Sequence, residues 1–89
     1  MSTDNVRLLK HIVLEISFLM ENTEGKDEES LLNDTVVGAG IIRGLERIYE
    51  SLKKLDEDFK AQHPFVNTNI EVLKLPELKT YIENIIGND

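Results

Sequence analysis

Between Ile41 and Phe59 the apolar residues recur with a spacing that one kind of backbone satisfies. Ile41, Leu45, Ile48, Leu52, Leu55 and Phe59 lie four, three, four, three and four positions apart. At about 3.6 residues per turn, that spacing stacks them on one side of an α-helix. The pattern predicts a long helix from about Thr35 to Ala61, with Val37 and Ile42 extending its apolar stripe. Gly38 and Gly40 fall inside it, each costing about 1 kcal/mol against alanine in a helix interior. Either another helix packs closely at these glycines, or the helix kinks or breaks there.

A second stripe of the same kind precedes it. Val6, Leu9, Val13, Ile16 and Met20 alternate steps of three and four, and Ile12 and Leu19 widen the band. Ser2, Thr3 or Asp4 can cap this first helix, and Gly25 is suited to the left-handed turn that ends it. The stretch "KDEESLLND" reads as a short acidic turn of helix or a capped lead-in, anchored by Leu31 and Leu32. Pro64 drives His63 out of the helical region, so the long helix ends there. "FVNTN" then forms a polar loop in which Asn67, Thr68 or Asn69 can cap the short segment "IEVLK". Pro76 is placed to open a last helix, with Glu77 at its positive end, Leu78, Ile82 and Ile85 as its buried stripe and Gly87 as its stop. Nothing alternates with period two long enough to make a strand. The expected fold is all-α: an up-down helical bundle with a long central helix, in one domain over residues 1–89.

Composition narrows the function classes. A chain of 89 residues buries only about 60–65% of its unfolded surface, so a partner or a second copy would add needed stability. The net charge of −7 repels phosphate and leaves room for RNA only in a local basic cleft. With no cysteine there is no disulfide framework, thiolate nucleophile or cysteine metal site. No apolar run approaches the ~20 residues that span a bilayer, and the acidic residues near the start do not read as a secretory leader. A cytoplasmic protein is expected. No Gly-rich phosphate loop or paired-histidine metal spacing is present, so no cofactor and no metal are expected.

Several polar residues have two readings. Arg7 and His11, one turn apart, are either a functional pair or a surface pair beside the stripe. His63 is either catalytic or a group satisfying carbonyls at a helix end. Arg43, Glu46, Arg47 and Glu50 form a polar strip, either a salt-bridged exposed edge or the wall of a dimer interface or substrate groove. Tyr49 and Tyr81 are either a nucleotide-stacking pair or half-buried packing with wet hydroxyls.

The run "IIRGLERIYESLKKLDEDFKAQHP", Ile41 to Pro64, resembles the long helix of the HepT-like branch of the HEPN superfamily. Arg43, Leu45, Glu46, Ile48, Glu50, Lys53, Lys54, Leu55, Phe59, Lys60, His63 and Pro64 match that family's pattern. "RLLKHIVLEISFLMENTEG" is similar to its first helix, and "LPELKTYIENII" to its closing one. The order and spacing of these stretches cover nearly the whole chain. The resemblance implies an all-α dimer and a ribonuclease toxin, held in check by a minimal nucleotidyltransferase antitoxin.

Two departures bear on that expectation. Tyr49 and Ser51 stand where the family has glycine and alanine, so a close helix contact there must be altered. More consequentially, the family's catalytic motif lies in a segment after "HP": an arginine, four to six residues, a histidine and commonly a tyrosine. Here Pro64 is followed directly by Phe65-Val66-Asn67. Arg7 and His11 do not replace the motif, having three intervening residues and lying on the first helix. The resemblance therefore implies no catalytic residue in this chain. It places Arg43, Glu46, Arg47 and Glu50 beside a dimer cleft, and it implies a homodimer, a nucleotidyltransferase partner and RNA as a candidate ligand. The chain is expected to be inactive as a nuclease. The alternative is a non-enzymatic helical interaction or dimerisation module. An intact mass of 10.2 kDa separates a genuine deletion from a longer chain that carries the motif.

Overall fold

A computed structural model of the chain describes residues 3–25, 27–33, 35–67 and 70–87. Of the expected caps and anchors, Ser2, Thr68 and Asn69 lie outside the described residues, and so do the side chains of Leu32 and Asn67. The described elements are α1 (Thr3–Thr23), α2 (Glu28–Asn33), α3 (Thr35–Lys53), α4 (Glu57–Gln62) and α5 (Leu75–Gly87), with 3-10 turns at Pro64–Asn67 and Val72–Lys74. Among the described residues there is no strand, and the fold is an all-α up-down bundle.

The 21-residue α1 packs along both α3 and α5. Its buried stripe is Asn5, Leu9, Ile12, Ile16 and Leu19, one position round from the expected register. Val6, Val13 and Met20 are half-buried at its edge. A helix touching two neighbours needs a band wider than one heptad row. Both registers have steps of three and four, so spacing alone does not choose between them. Leu31, Ile41, Ile48, Leu52, Leu55, Phe59, Val66, Leu75 and Ile82 join the apolar members of that stripe in a contiguous core, and each fully buried Leu or Ile contributes about 1.5–3 kcal/mol. In α5, Ile82 is buried, while Leu78 and Ile85 are half-buried.

α3 is continuous through Gly38 and Gly40. A side chain at Gly40 would meet nothing within 4 Å, and one at Gly38 only the Leu31 carbonyl at 3.6 Å. The close contact lies instead at Gly44, where an added Cβ would stand 2.5 Å from Leu19 Cδ2 on α1. Ile42, expected in the stripe, is 58% exposed.

The predicted long helix is two helices. It stops at Lys53 and restarts at Glu57. The last turn of α3 tightens, with Lys54 N–H donating to Ser51 O at 3.2 Å and Leu55 N–H to Leu52 O at 3.3 Å. Asp56 is extended (φ −56°, ψ 147°). Two side chains hold the break. Asn5, 3% exposed, accepts from Asp56 N–H at 3.2 Å and donates to the Asp56 carboxylate at 3.1 Å. Lys60 Nζ donates to Lys53 O at 2.6 Å, closing a carbonyl that α3 leaves open. Leu52, Leu55 and Phe59 all stay buried, so the apolar spacing survives a break it does not reveal.

Gly25 has φ +73° and turns the chain out of α1 as expected. Asp27 accepts from Ser30 N–H at 2.8 Å at the start of α2. That bond, with a second from the Ser30 side chain, holds the Asp27 carboxyl below its ordinary range. Pro76 is the second residue of α5, where a missing N–H costs nothing.

Candidate functional site

Two regions hold the candidate polar and aromatic side chains. The first is the seam where α1 and α3 run side by side. Arg43, Glu46, Arg47 and Glu50 are all exposed on α3, facing away from buried Ile48. They are not an edge of mutual salt bridges: among the described residues no ion pair joins any two of them. Arg47 reaches across the seam, its Nε donating to Glu15 Oε1 of α1 at 3.2 Å. His11 Nε2 approaches the same oxygen at 3.8 Å. Glu15, with 16% of its side chain exposed, is the hub, sheltered enough for its pairing to count for more than a surface contact. Arg7 turns away from His11 to Asp4 at 3.2 Å, and both partners are 79% exposed, a pair of little energetic weight. Phe18, three residues after Glu15 on α1, is 56% exposed, and Val36, two turns before Arg43 on α3, is 81% exposed. Leu14, 69% exposed, instead lines a groove with Lys10, Val13, Glu83 and Ile86 of α1 and α5.

The second region lies where α4 hands over to α5, around the direct Pro64–Phe65 bond. His63 N–H donates to Phe59 O at 2.9 Å, so it is the backbone that satisfies the end of α4. The imidazole does something else. It stacks on Phe59 with centroids 4.4 Å apart, and its Nδ1 lies 3.3 Å from the Tyr81 hydroxyl of α5. Phe65 meets Tyr81 edge to face at 5.1 Å and Phe59 at 6.4 Å. Phe59, His63, Phe65 and Tyr81 thus close one aromatic cluster across α4, the 3-10 turn and α5. Val66, in the same turn, is 8% exposed and part of the core. Beside the cluster opens a groove of about 430 Å³ lined by Phe65, Ile70, Glu71, Lys74, Glu77, Leu78 and Tyr81.

The tyrosines do not form a stacking pair. Tyr49 is half-buried on α3, and its hydroxyl accepts from Ile70 N–H at 2.8 Å, fixing the segment that leads to α5. Tyr81 is 46% exposed. Ser51 is buried at 8% exposure, and the tight contact on α3 lies at Gly44, not at Tyr49 or Ser51.

Sequence reasoning missed Asn5, Glu15, Gly44 and Phe65. Asn5 was readable as the first member of the stripe Asn5, Leu9, Ile12, Ile16, Leu19, had the polar residue been admitted. The Glu15–Arg47 bond joins different helices, so no local spacing announces it. Among the described residues no helix is long and apolar enough to cross a membrane, and no group of three His, Asp or Glu is placed to hold a metal.

Comparison with known proteins adds one similarity. The chain is 36% identical over 55 residues to a protein of Caldanaerobacter subterraneus subsp. tengcongensis described as "Putative RNase TTE0752". Those residues are 62% of this chain and 49% of that protein, so the chain matches about half the length of this curated relative. No family model and no solved structure matches the sequence.

Proposed function

We propose that this chain is a relative of the HepT-like ribonuclease toxins that lacks the nuclease motif and acts by binding rather than by cleaving RNA. The similarity to a protein described as an RNase supports the ribonuclease lineage. The observation that carries the loss of cleavage is the Pro64–Phe65 junction. The motif would stand there, and the chain instead passes through a single 3-10 turn with Val66 in the core and His63 stacked among Phe59, Phe65 and Tyr81. Metal-free RNA cleavage needs a proton-transferring group and a cation at the scissile phosphate. The His63 imidazole is committed to its aromatic neighbours, and Arg43 lies on α3 outside that cluster.

In this reading the chain keeps the surfaces of its lineage. The exposed strip Arg43, Glu46, Arg47 and Glu50, with exposed Phe18 and Val36 on the same two helices, pairs with a second copy, and a nucleotidyltransferase is the cognate partner. A cleavage assay tests the proposal: purified protein incubated with total RNA, with and without EDTA, should give no fragments above a protein-free control. Turnover abolished by Arg43→Ala or His63→Ala would overturn it.

A further inference from the structure

We infer that the groove beside the Phe65–Tyr81 pair receives an arginine side chain from a basic segment of a partner protein. The inference rests on the reading of the chain as a binding module, and it names the chemistry of one contact. The groove is lined by half-buried Ile70, Leu78 and Phe65 and by Tyr81, 46% exposed, the two aromatic rings meeting edge to face. Glu71, Glu77 and Lys74, all exposed, also line it. Lys74 is drawn to Glu71 at 3.6 Å, with both side chains about two-thirds exposed at 64% and 66%. That leaves Glu77 without an ion pair among the described residues, in the lining of an aromatic groove.

This combination selects a cation with a long apolar stem. The faces of aromatic rings are negative and attract cations, guanidinium above all, because it also stacks flat on a ring. The three methylenes of an arginine would lie on Ile70 and Leu78 while the charge reaches Tyr81 and Glu77. A phosphate-bearing ligand meets two carboxylates in that lining and a chain of net charge −7, which works against it. The same net charge draws a basic partner in. The rigid parts are already in place: Tyr49 fixes Ile70 through its backbone at 2.8 Å, and His63 holds the Tyr81 hydroxyl at 3.3 Å.

The test is a titration of 15N-labelled full-length protein, followed by amide shifts, with four probes: N-acetyl-argininamide, its uncharged norleucinamide analogue, spermidine and AMP. The expected result is saturable shifts at Phe65, Ile70, Leu78 and Tyr81 with argininamide, fading as salt is raised, and none there with norleucinamide. Glu77→Gln and Tyr81→Leu should each weaken argininamide roughly two- to five-fold, and Tyr81→Phe, which keeps the ring, should not. Three results would overturn the inference. These are spermidine binding as tightly as argininamide, AMP shifting the same residues, or Glu77→Gln and Tyr81→Leu leaving affinity unchanged while circular dichroism shows the fold intact. If the protein proves to cleave RNA, the binding-module reading fails, and these shifts still report on the groove by themselves.

Discussion

Asn5 is a small residue with a disproportionate part. Its carboxamide is buried, and it satisfies both the backbone N–H and the carboxylate of Asp56 at the point where α3 gives way to α4. Asn5→Ala should cost about 1–3 kcal/mol in a denaturant titration, because the polar groups of Asp56 are left partly shielded without that partner. Asn5→Asp should do no better, since it sets a carboxylate against the Asp56 carboxylate. A loss below a few tenths of a kcal/mol would mean that water replaces the contact freely. Asp27 gives a pH-dependent counterpart. Its folded pKa is depressed by the bonds from Ser30, so its cap on α2 is present above the unfolded value of about 3.9 and is lost as pH falls through the lower folded one. The protection factor of the Ser30 amide, its exchange rate corrected for the intrinsic pH dependence, should fall in that acid window and hold steady from mild acid to neutral pH.

At the scale of elements, the glycines of α3 separate propensity from packing. Gly40 has open space where a Cβ would go, so Gly40→Ala should stabilise by up to about 1 kcal/mol. Gly44→Ala makes the same gain in propensity but drives a methyl to within 2.5 Å of buried Leu19. Overpacking costs about 1–3 kcal/mol, so the net effect should be a loss. Adding Leu19→Ala to Gly44→Ala should cost less than Leu19→Ala costs alone, a coupling that a double-mutant cycle measures. These residues also show where the sequence was legible. The apolar spacing gave the helical class and most of the core, and Pro64, Pro76 and Gly25 marked turns by their own backbone chemistry. The break after Lys53 was hidden, because Leu52, Leu55 and Phe59 keep helical spacing across it while the residues that hold it, Asn5 and Lys60, come from elsewhere in the chain. The tight glycine was misplaced for a related reason: glycine reports that a neighbour can approach, and only the partner helix decides which glycine it meets.

At the scale of the whole molecule, the bundle is acidic and elongated, 40 × 21 × 18 Å, with its candidate side chains at two places. The α1–α3 seam offers charges, with Arg47 paired to Glu15 across it, and the α4–α5 corner offers Phe65 and Tyr81 in a groove that Glu71 and Glu77 also line. The candidate strip Arg43, Glu46, Arg47 and Glu50 could be placed from sequence because helical spacing puts it on one face. The α4–α5 cluster could not, since its members lie on separate elements. If the seam is a contact between copies, Phe18→Glu should shift the protein towards monomer in sedimentation velocity, with little change in helicity. An unchanged sedimentation profile would remove the seam from consideration as that contact.

The functional reading depends most on Pro64 being bonded directly to Phe65. Trypsin cuts after Lys60 and Lys74, and Ala61–Lys74 contains no other lysine or arginine. Peptide mapping of the protein isolated from its native source should yield that single peptide intact. Its absence, with new peptides joining Pro64 to an arginine- and histidine-bearing segment, would restore the nuclease motif and contradict the proposal that this chain binds without cleaving.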